Sequence, residues 1–387
     1  MNKANVYLIN LSFGLAGIER RFANIWRTLR SRGNVRPVLV VPDTLATILY
    51  EAGLADPDPD IWEVAEHRVL RSLSGIGFPP LGEIAAAILR SRAMAWSYRR
   101  VWERIRSDPS AVVHIGMNCS ALVPPAVPLV YECVDSTLSQ LGTRHFVRAS
   151  SRRCIVHCQT GRIRRALEQT MADRQTRWIT VHSPCYFASY PELSDPAPAR
   201  DSRLVAFVGR MAPEKRPLLF LEAIVRARSG GLDVRGLMLG EGPLQPQLQR
   251  YISDHHLESV VEVGFGPNPF ERLQRAAIFV SLQSGDNFGS QSLLEAMGAG
   301  CAVVATAVGE TGRLVTPDVG LLVDPDPAEV AGAISELVRD PAGTEKKGAA
   351  ASDLARTQYS ADAYASFLES LYCRAIDLHG HEASSIA

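Results

Sequence analysis

The amino-acid sequence predicts an α/β protein made of two doubly wound domains, and three observations support this prediction. The chain has 387 residues, which is too long for one ordinary hydrophobic core. Short apolar runs recur in both halves, each followed by a loop and a helical pattern, as in a parallel sheet covered by helices. The segment PELSDPAPARDSR (191–203) lies between the halves and has the composition of an interdomain linker.

The first half begins with a predicted strand at 6–10, followed by a glycine loop and an amphipathic helix near 19–32. Further apolar runs predict strands at 37–41, 111–114, 129–132 and 154–157. We therefore assign residues 1–196 to an N-terminal Rossmann-like domain.

The second half repeats the pattern more clearly. Strands are predicted at 204–208, 235–239, 260–263, 278–282 and 302–306, with helices from about 218 and at 244–255, 270–276 and 292–298. We assign residues 197–358 to a C-terminal domain, and 359–387 to a helix and tail, the helix packing back on the N-terminal domain. Two such domains facing each other would leave a cleft, with ligands at the carboxyl ends of the strands.

The composition fits a globular protein without a membrane span. Hydrophobic residues make up 46% and charged residues 21%, and no apolar run reaches the roughly 20 residues that span a bilayer. We interpret the N-terminal apolar stretch as a buried strand and expect a cytoplasmic protein. Residues 1–196 carry 24 Lys and Arg against 17 Asp and Glu, and the remainder carries 17 Lys and Arg against 24 Asp and Glu. The basic first half suits an anionic acceptor or an anionic membrane surface.

Two groups of residues have the chemistry of metal ligands, and we interpret both as structural. Cys154, His157 and Cys158 lie close together, but no second ligand pair follows at zinc spacing, which favours a buried strand. Three aspartates alternate in the Pro-rich run ADPDPDIW, which has the composition of a surface loop (Asp56, Asp58 and Asp60).

The segment 83–107 is basic and aromatic. It contains Arg90, Arg92, Arg99, Arg100, Arg104 and Arg106 with Trp96, Tyr98 and Trp102. One interpretation is a helix lying at the inner face of a membrane; the other is an ordinary packed helix with one solvated face.

One loop after a predicted strand carries two cations. In GRMAPEK (209–215), Arg210 and Lys215 would lie at the carboxyl edge of the sheet, beside the start of a helix. Two cations at that place suit a diphosphate, because Arg grips two oxygens and Lys adds a point charge. The alternative for this loop alone is a solvated basic turn.

A second loop, at 284–297, also joins a strand to a helix. Gly285 and Gly289 let the backbone approach a ligand closely, and the free N–H groups at the helix start can bind phosphate or sugar oxygens. Glu295 lies about one turn into this helix and could accept hydrogen bonds from ribose hydroxyls; otherwise it is a Glu favoured by the helix dipole. The loop with Gly14 and Gly17 would close over the donor from the other domain.

Taken together, these loops resemble those of the retaining GT-B glycosyltransferases, which include bacterial lipopolysaccharide, exopolysaccharide and mannosyl-lipid transferases. The matching runs are AFVGRMAPEKRPLLFLEAI (206–224), GEGPL (240–244), NFGSQSLLEAMGAGCAVVATAVGETGRLV (287–315) and GLLVDPDPAEVAGAI (320–334). Over 1–190 only GLAGIER, the helix after it and the overall rhythm match.

The resemblance implies that Arg210 and Lys215 bind the donor diphosphate and act in catalysis, and that Glu295 binds the ribose. It places the base beside Gly264 and Phe265, and Gly17 faces the donor from the other domain. The remaining implied donor contacts are Gly209, Asp286, Asn287, Phe288, Gly289, Ser290, Ser292 and Leu293. The resemblance implies neither a metal nor another cofactor, because the cations and the helix start neutralise the pyrophosphate.

Two positions depart from the family pattern. The family carries a Glu eight positions before Glu295, where this chain has Asn287 with Asp286 beside it. Many relatives also have a His near the reacting sugar, where this chain has Gly116 in the run VVHIGMN and Val134 in YECVDS. We interpret His114 as a buried strand residue, with an active-site role as the alternative.

The expected function is transfer of a sugar from a nucleotide-diphosphate sugar, of UDP or GDP type, in surface polysaccharide or glycoconjugate biosynthesis. The acceptor is a saccharide, a lipid-linked molecule or a small molecule, and no nucleic-acid partner is expected. The alternatives are another enzyme of this fold, such as a nucleotide-sugar epimerase, and a non-catalytic partner subunit.

Overall fold

The computed structural model describes residues 3–10, 17–65, 96–116, 127–133, 154–170, 178–182, 190, 198–264, 269–285 and 288–386. It divides into two compact units, one formed by 1–184 with 364–387 and the other by 185–363. The division after residue 184 precedes the boundary that the linker composition suggested, and the first unit includes the end of the chain as well as its start.

The first unit contains a parallel sheet with the strand order β3-β2-β1-β4-β5-β6-β7 among its described strands. The strands are β1 Asn5–Ile9, β2 Arg36–Pro42, β3 Ile61–Val64, β4 Ala111–Gly116, β5 Leu129–Cys133, β6 Cys154–Cys158 and β7 Trp178–His182. The helices described before residue 184 are α1 Gly17–Arg32, α2 Asp43–Glu51, α3 Arg99–Arg106 and α4 Gly161–Thr170. The five predicted strands are confirmed, whereas β3 and β7 were not predicted.

Helix α3 shows which face of the basic segment is buried. Trp102 and Ile105 lie in the core that covers one face of the sheet, so Trp102 is a packing residue and not a membrane anchor. The arginines of α3 remain exposed, and Trp96 is 67% exposed. Residues 83–95 of this segment, with Arg90 and Arg92, lie outside the described residues.

The second unit contains a parallel sheet with the strand order β10-β9-β8-β11-β12-β13. The strands are β8 Asp201–Val208, β9 Arg235–Leu239, β10 Val261–Gly264, β11 Ala276–Ser281, β12 Ala302–Thr306 and β13 Gly320–Val323. The helices from residue 217 onward are α5 Pro217–Ser229, α6 Gln245–Asp254, α7 Phe270–Arg275, α8 Gln291–Gly298, α9 Pro327–Arg339, α10 Pro341–Gln358 and α11 Ala361–Ile386. The predicted elements are confirmed, and each face of this sheet is covered by its own apolar cluster.

Both sheets are doubly wound, as predicted. In each sheet the chain first adds strands on one side of the first strand and then crosses to the other side of that strand. The crossing leads to β4 in the first unit and to β11 in the second. Each sheet therefore has a switch point where neighbouring loops diverge, the usual ligand position in such folds. Among the described helices, none combines the length and the apolar character needed to cross a membrane.

Candidate functional site

The candidate donor-binding edge lies in the second unit, at the carboxyl ends of β8 and β11. The two strands are parallel neighbours at the switch point of the sheet. Residues 209–216 leave β8 and residues 282–290 leave β11. The structure thus brings two loops that are far apart in sequence to the one place where a doubly wound sheet binds ligands.

Glycines allow the loop after β8 to pack directly against the loop after β9. The N–H of Met211 donates to the carbonyl of Glu241 (2.8 Å), and the N–H of Leu244 donates to the carbonyl of Met211 (2.9 Å). A Cβ on Gly240 would overlap the carbonyl oxygen of Gly209, and Gly240 has φ 138°. Only glycine meets both requirements, so these contacts fix the backbone that carries the cations.

Arg210 presents its guanidinium to solvent. Its side chain is 66% exposed, and Nη2 donates to Oε1 of Glu214 over 3.0 Å. An exposed pair of this kind contributes roughly 0.2–1 kcal/mol to stability. The guanidinium can therefore exchange its carboxylate partner for a phosphate at little cost.

Lys215 is held more deeply. Its ammonium donates to Oε1 of Gln283, and its stem lies where a Cβ on Gly209 would touch it at 3.9 Å. Burial lowers the pKa of Lys215, the Glu214 carboxylate opposes that effect, and the Arg210 guanidinium adds to it. The two cations thus belong to one loop at the carboxyl edge of the sheet, on either side of Glu214.

The loop after β11 is tied to both neighbouring strands. The hydroxyl of Thr306, the last residue of β12, donates to the carbonyl of Gln283 (2.8 Å). The N–H of Ser284 donates to the carbonyl of Glu214 (2.8 Å) in the loop after β8. These bonds hold three consecutive strand ends in register around the site.

Helix α8 begins at the same edge. Ser290 precedes it in an extended conformation, and Gly289 has φ 84°. Among the described residues, no side chain caps the first turn, and Oγ of Ser290 lies 3.4 Å from Oγ of Ser292. The N–H groups of the first turn therefore point toward the edge where they can bind an anion.

Glu295 lies one turn into α8 and is half-buried. Burial raises the pKa of its carboxyl, and a 3.4 Å hydrogen bond from Nε2 of Gln291 partly offsets that rise. A carboxylate with one weak partner can accept hydrogen bonds from the hydroxyls of a bound sugar or ribose.

The predicted contacts Phe288 and Leu293 have buried side chains. Phe288 is 7% exposed and Leu293 fully buried, and both belong to the apolar cluster beneath the loop. The Arg313 guanidinium lies 4.4 Å from the centre of the Phe288 ring. Only the backbone of these two residues is available to a ligand.

The remaining predicted residues are distributed as follows. Gly264 ends β10 at the carboxyl edge and accepts a 3.0 Å hydrogen bond from the N–H of Gly240, while the Arg272 side chain fills the space beside it. Gly17 is the first residue of α1, in the other unit. Outside the described residues lie Phe265, Asp286 and Asn287, and also Gly14 and Val134.

The first unit contains a buried polar cluster that sequence reasoning missed. Nη1 of Arg21 lies 2.6 Å from Oε1 of Glu132, and Oε2 of Glu132 lies 3.2 Å from Nε2 of His114 and 3.6 Å from Nε2 of His157. Nδ1 of His114 is 2.8 Å from the hydroxyl of Tyr372 in α11. The only signals in sequence were a Glu and two His within apolar strands.

The charges in this cluster compensate one another. Burial alone would raise the pKa of Glu132, but the Arg21 guanidinium and the histidine hydrogen bonds hold it well below the usual range. Burial lowers the pKa of His157, against the opposing effect of Glu132. Glu132 is therefore the anion of a buried ion pair with Arg21, and the imidazoles of His114 and His157 lie beside it.

Among the described residues, His114, Glu132 and His157 of this cluster have the spacing to hold a metal ion. Their ligand atoms lie within 4.8 Å of one another. The Arg21 cation on Glu132 disfavours a second positive charge there. Cys154 and Cys158 are buried and lie on the opposite face of the sheet from His157. The strand interpretation of these cysteines is therefore confirmed.

Comparison with known proteins agrees with this architecture. Residues 202–340 match the family model "Glycosyl transferases group 1". The alpha-D-kanosaminyltransferase of Streptomyces kanamyceticus is 24% identical over 352 residues, 87% of either chain. The 2-deoxystreptamine glucosyltransferase of the same organism is 31% identical over 172 residues, 39% of this chain and 44% of that protein.

Solved structures share the fold over nearly the whole chain. The pneumococcal O-GlcNAc transferase GtfA, in complex with UDP and GlcNAc, matches with a TM-score of 0.70 at 11% identity, covering 97% of this chain and all of the other. Anabaena HepE in complex with UDP matches with a TM-score of 0.68 at 18% identity, covering 95% and 98%. With a glycosyl transferase group 1 domain in the second unit, glycosyltransferase relatives and this fold, the chain is a GT-B glycosyltransferase.

Proposed function

We propose that the enzyme transfers a hexose from a nucleoside-diphosphate sugar to an acceptor hydroxyl, with retention of anomeric configuration and without a metal. The observation that carries the proposal is the convergence of Arg210, Lys215 and the uncapped start of α8 at the switch point of one sheet. Fixed positive charge and N–H groups at one edge are the complement of a diphosphate.

In the reaction the bond between the anomeric carbon and the diphosphate oxygen breaks, and a bond to the acceptor oxygen forms as the acceptor hydroxyl passes its proton to the departing diphosphate. Negative charge accumulates on the departing diphosphate. Arg210 and Lys215 would stabilise that charge from positions that the fold fixes before the reaction, usually the largest catalytic contribution. Glu295 would hold the ribose.

The donor nucleotide is proposed to be UDP or GDP. UDP is the nucleotide in the solved neighbours GtfA and HepE, and the name of a Mycobacterium tuberculosis mannosyltransferase relative specifies GDP-mannose. The acceptor panel should include cyclitols, because the relatives include a 2-deoxystreptamine glucosyltransferase and D-inositol 3-phosphate glycosyltransferases.

A panel of UDP-, GDP- and dTDP-hexoses tests the proposal, with and without saccharide, cyclitol and lipid-linked acceptors. We expect one nucleotide class to raise the melting temperature, turnover to depend on an acceptor, and chelator to leave turnover unchanged. NMR of the product should show the anomeric configuration of the donor. A product with inverted configuration contradicts retention, and complete inhibition by chelator contradicts the metal-free mechanism.

We further propose that the first unit contacts the inner face of the cytoplasmic membrane through the surface around α3. Arg99 and Arg100 are exposed there, beside the exposed indole of Trp96, a combination that suits anionic headgroups. The enzyme should co-sediment with vesicles that contain anionic phospholipid and less with neutral ones. Trp96→Ala should weaken that binding, and equal binding to neutral and anionic vesicles would refute the contact.

A further inference from the structure

We propose that Gln283 is a positioning residue that aims the Lys215 ammonium at the donor diphosphate without neutralising its charge. The inference deepens the proposed function and rests on it. It concerns a side chain that lies two residues beyond β11, at the switch point of the second sheet.

Gln283 is itself held firmly enough to position another group. Its carbonyl accepts the Thr306 hydroxyl at 2.8 Å, and the next residue, Ser284, donates its N–H to the carbonyl of Glu214. The segment that carries the amide is therefore tied to the loop after β8 and to the end of β12. Its side-chain oxygen then receives the ammonium of Lys215.

A lysine needs such a partner more than an arginine does. Its side chain is a flexible stem that ends in a point charge with three donors, whereas a guanidinium is a rigid fork. The stem of Lys215 runs past Gly209, and the hydrogen bond from its ammonium to Gln283 restricts rotation of the lysine side chain. Two N–H donors of the ammonium remain for the oxygens of a ligand.

The chemical type of the partner matters as much as its position. Arg210 is paired with a carboxylate, Glu214, at the exposed rim. Lys215 lies deeper, and among the described residues it forms no ion pair; its close partner is a neutral amide. An amide orients the ammonium while its full positive charge stays available to a phosphate, whereas a carboxylate would compete with the phosphate.

The experiment compares UDP with UMP, and GDP with GMP, by isothermal titration calorimetry. Wild-type enzyme should prefer the diphosphate. Gln283→Met should lower diphosphate affinity about tenfold, the loss expected for one charge-assisted hydrogen bond, with monophosphate affinity changed less than about twofold. Gln247→Met, at an exposed position of α6, is the matched control and should change neither.

Gln283→Glu separates orientation from charge. Its ionised carboxylate should pair with Lys215 and weaken diphosphate binding at neutral pH, and protonation at lower pH should restore part of the diphosphate preference relative to wild type. A role in packing alone would not produce this pH dependence. On a Lys215→Met background, Gln283→Met should have no additional effect on diphosphate affinity.

The outcomes distinguish this inference from the proposed function. If wild-type enzyme binds diphosphates selectively and Gln283→Met keeps that selectivity, the positioning role is wrong and the proposed function stands. If wild-type enzyme shows no diphosphate preference, the proposed function itself fails. Unchanged monophosphate affinity and melting temperature in the variants establish that they fold.

Discussion

At the residue scale, the enzyme holds its two proposed donor cations in different ways. Arg210 is exposed and Lys215 is partly buried, yet both flank Glu214 at one sheet edge. Arg210→Ala and Lys215→Ala should each lower turnover by about 10²-fold, the scale for losing one fixed donor to a developing anion. Steady-state kinetics with the preferred donor measures the effect.

Arg203→Ala provides the matched control for that pair. Arg203 belongs to β8, the strand that precedes the loop with the two cations, but lies near its amino end, with a half-exposed side chain that pairs with Asp233. Its removal should leave turnover within about twofold of wild type. An equal loss in the control and in the two site variants would show that the loss reports general destabilisation.

Glu295 predicts a pH dependence of donor binding. Burial raises the pKa of its carboxyl, so its protonated form is favoured in the folded state. The stability that the protonated carboxyl contributes to the folded state is fully present below the ordinary pKa of Glu. It is lost as the pH rises through the raised pKa of Glu295. Because the carboxylate is the form that accepts two ribose hydrogen bonds, donor affinity should fall as pH drops through the raised pKa.

Glu295→Gln tests this prediction. At about pH 8 the variant should bind nucleoside diphosphate roughly tenfold more weakly, and the acidic limb of its affinity profile should be absent. Calorimetric titration between about pH 5 and pH 8 measures both. An unchanged acidic limb would assign the pH dependence to another group.

The sequence predicted individual site residues only where a loop follows a buried strand. Arg210, Lys215 and Glu295 were proposed in this way, because strand ends and glycine-rich loops are visible as local patterns, and the structure places all three at the carboxyl edge of the second sheet. Gln283 was missed, since its role depends on a contact with a residue 68 positions earlier. Local patterns contain no information about such pairings.

At the scale of elements, close packing of the loops after β8 and β9 depends on glycine. Gly240→Ala would bring a Cβ onto the carbonyl oxygen of Gly209 at a φ of 138°. We expect a loss of roughly 3 kcal/mol in the free energy of unfolding, with reduced turnover because Arg210 is displaced. Urea denaturation measures the stability.

Gly332→Ala is the opposite case. Gly332 lies in α9 with an ordinary helical φ, is exposed, and has open space where a Cβ would lie. Alanine there should stabilise the protein by roughly 0.5–1 kcal/mol and leave turnover unchanged. Similar destabilisation of both variants would contradict the proposed packing at Gly240.

Helix α11 is attached to the first sheet by a buried hydrogen bond between Tyr372 and His114. Tyr372→Phe would leave Nδ1 of His114 without this partner inside the core, at a cost of roughly 1–3 kcal/mol. Tyr50→Phe removes an exposed hydrogen bond of the same 2.8 Å length, to Glu63, and should cost less than about 0.5 kcal/mol. Equal denaturation midpoints for the two variants would contradict the buried role of Tyr372.

Most elements were predictable because parallel strands buried on both faces appear as continuous apolar runs. Strand β3 was missed because it is only four residues long, includes Glu63, and follows the Pro-rich run. The sequence predicted that the C-terminal helix packs back on the N-terminal domain, but not which residues it contacts there, since the bond between His114 and Tyr372 joins residues 258 positions apart.

At the scale of the whole molecule, the two units share one strand order, which β7 extends by a further strand in the first unit, and they differ in polar chemistry. The described polar interior of the first unit is a compensated ion pair with two imidazoles, whereas the second unit leaves two cations and a helix start at its ligand edge. This asymmetry supports the proposal that the nucleotide binds to the second unit, which also carries the family domain.

Calorimetric affinity for nucleoside diphosphate relative to monophosphate tests the central claim most directly, with wild-type enzyme and the Arg210→Ala/Lys215→Ala double variant compared side by side. We predict that wild-type enzyme binds the diphosphate at least about tenfold more tightly, and that the double variant binds both nucleotides with similar, weak affinity. A double variant that retains the full diphosphate preference would show that these cations do not bind the pyrophosphate.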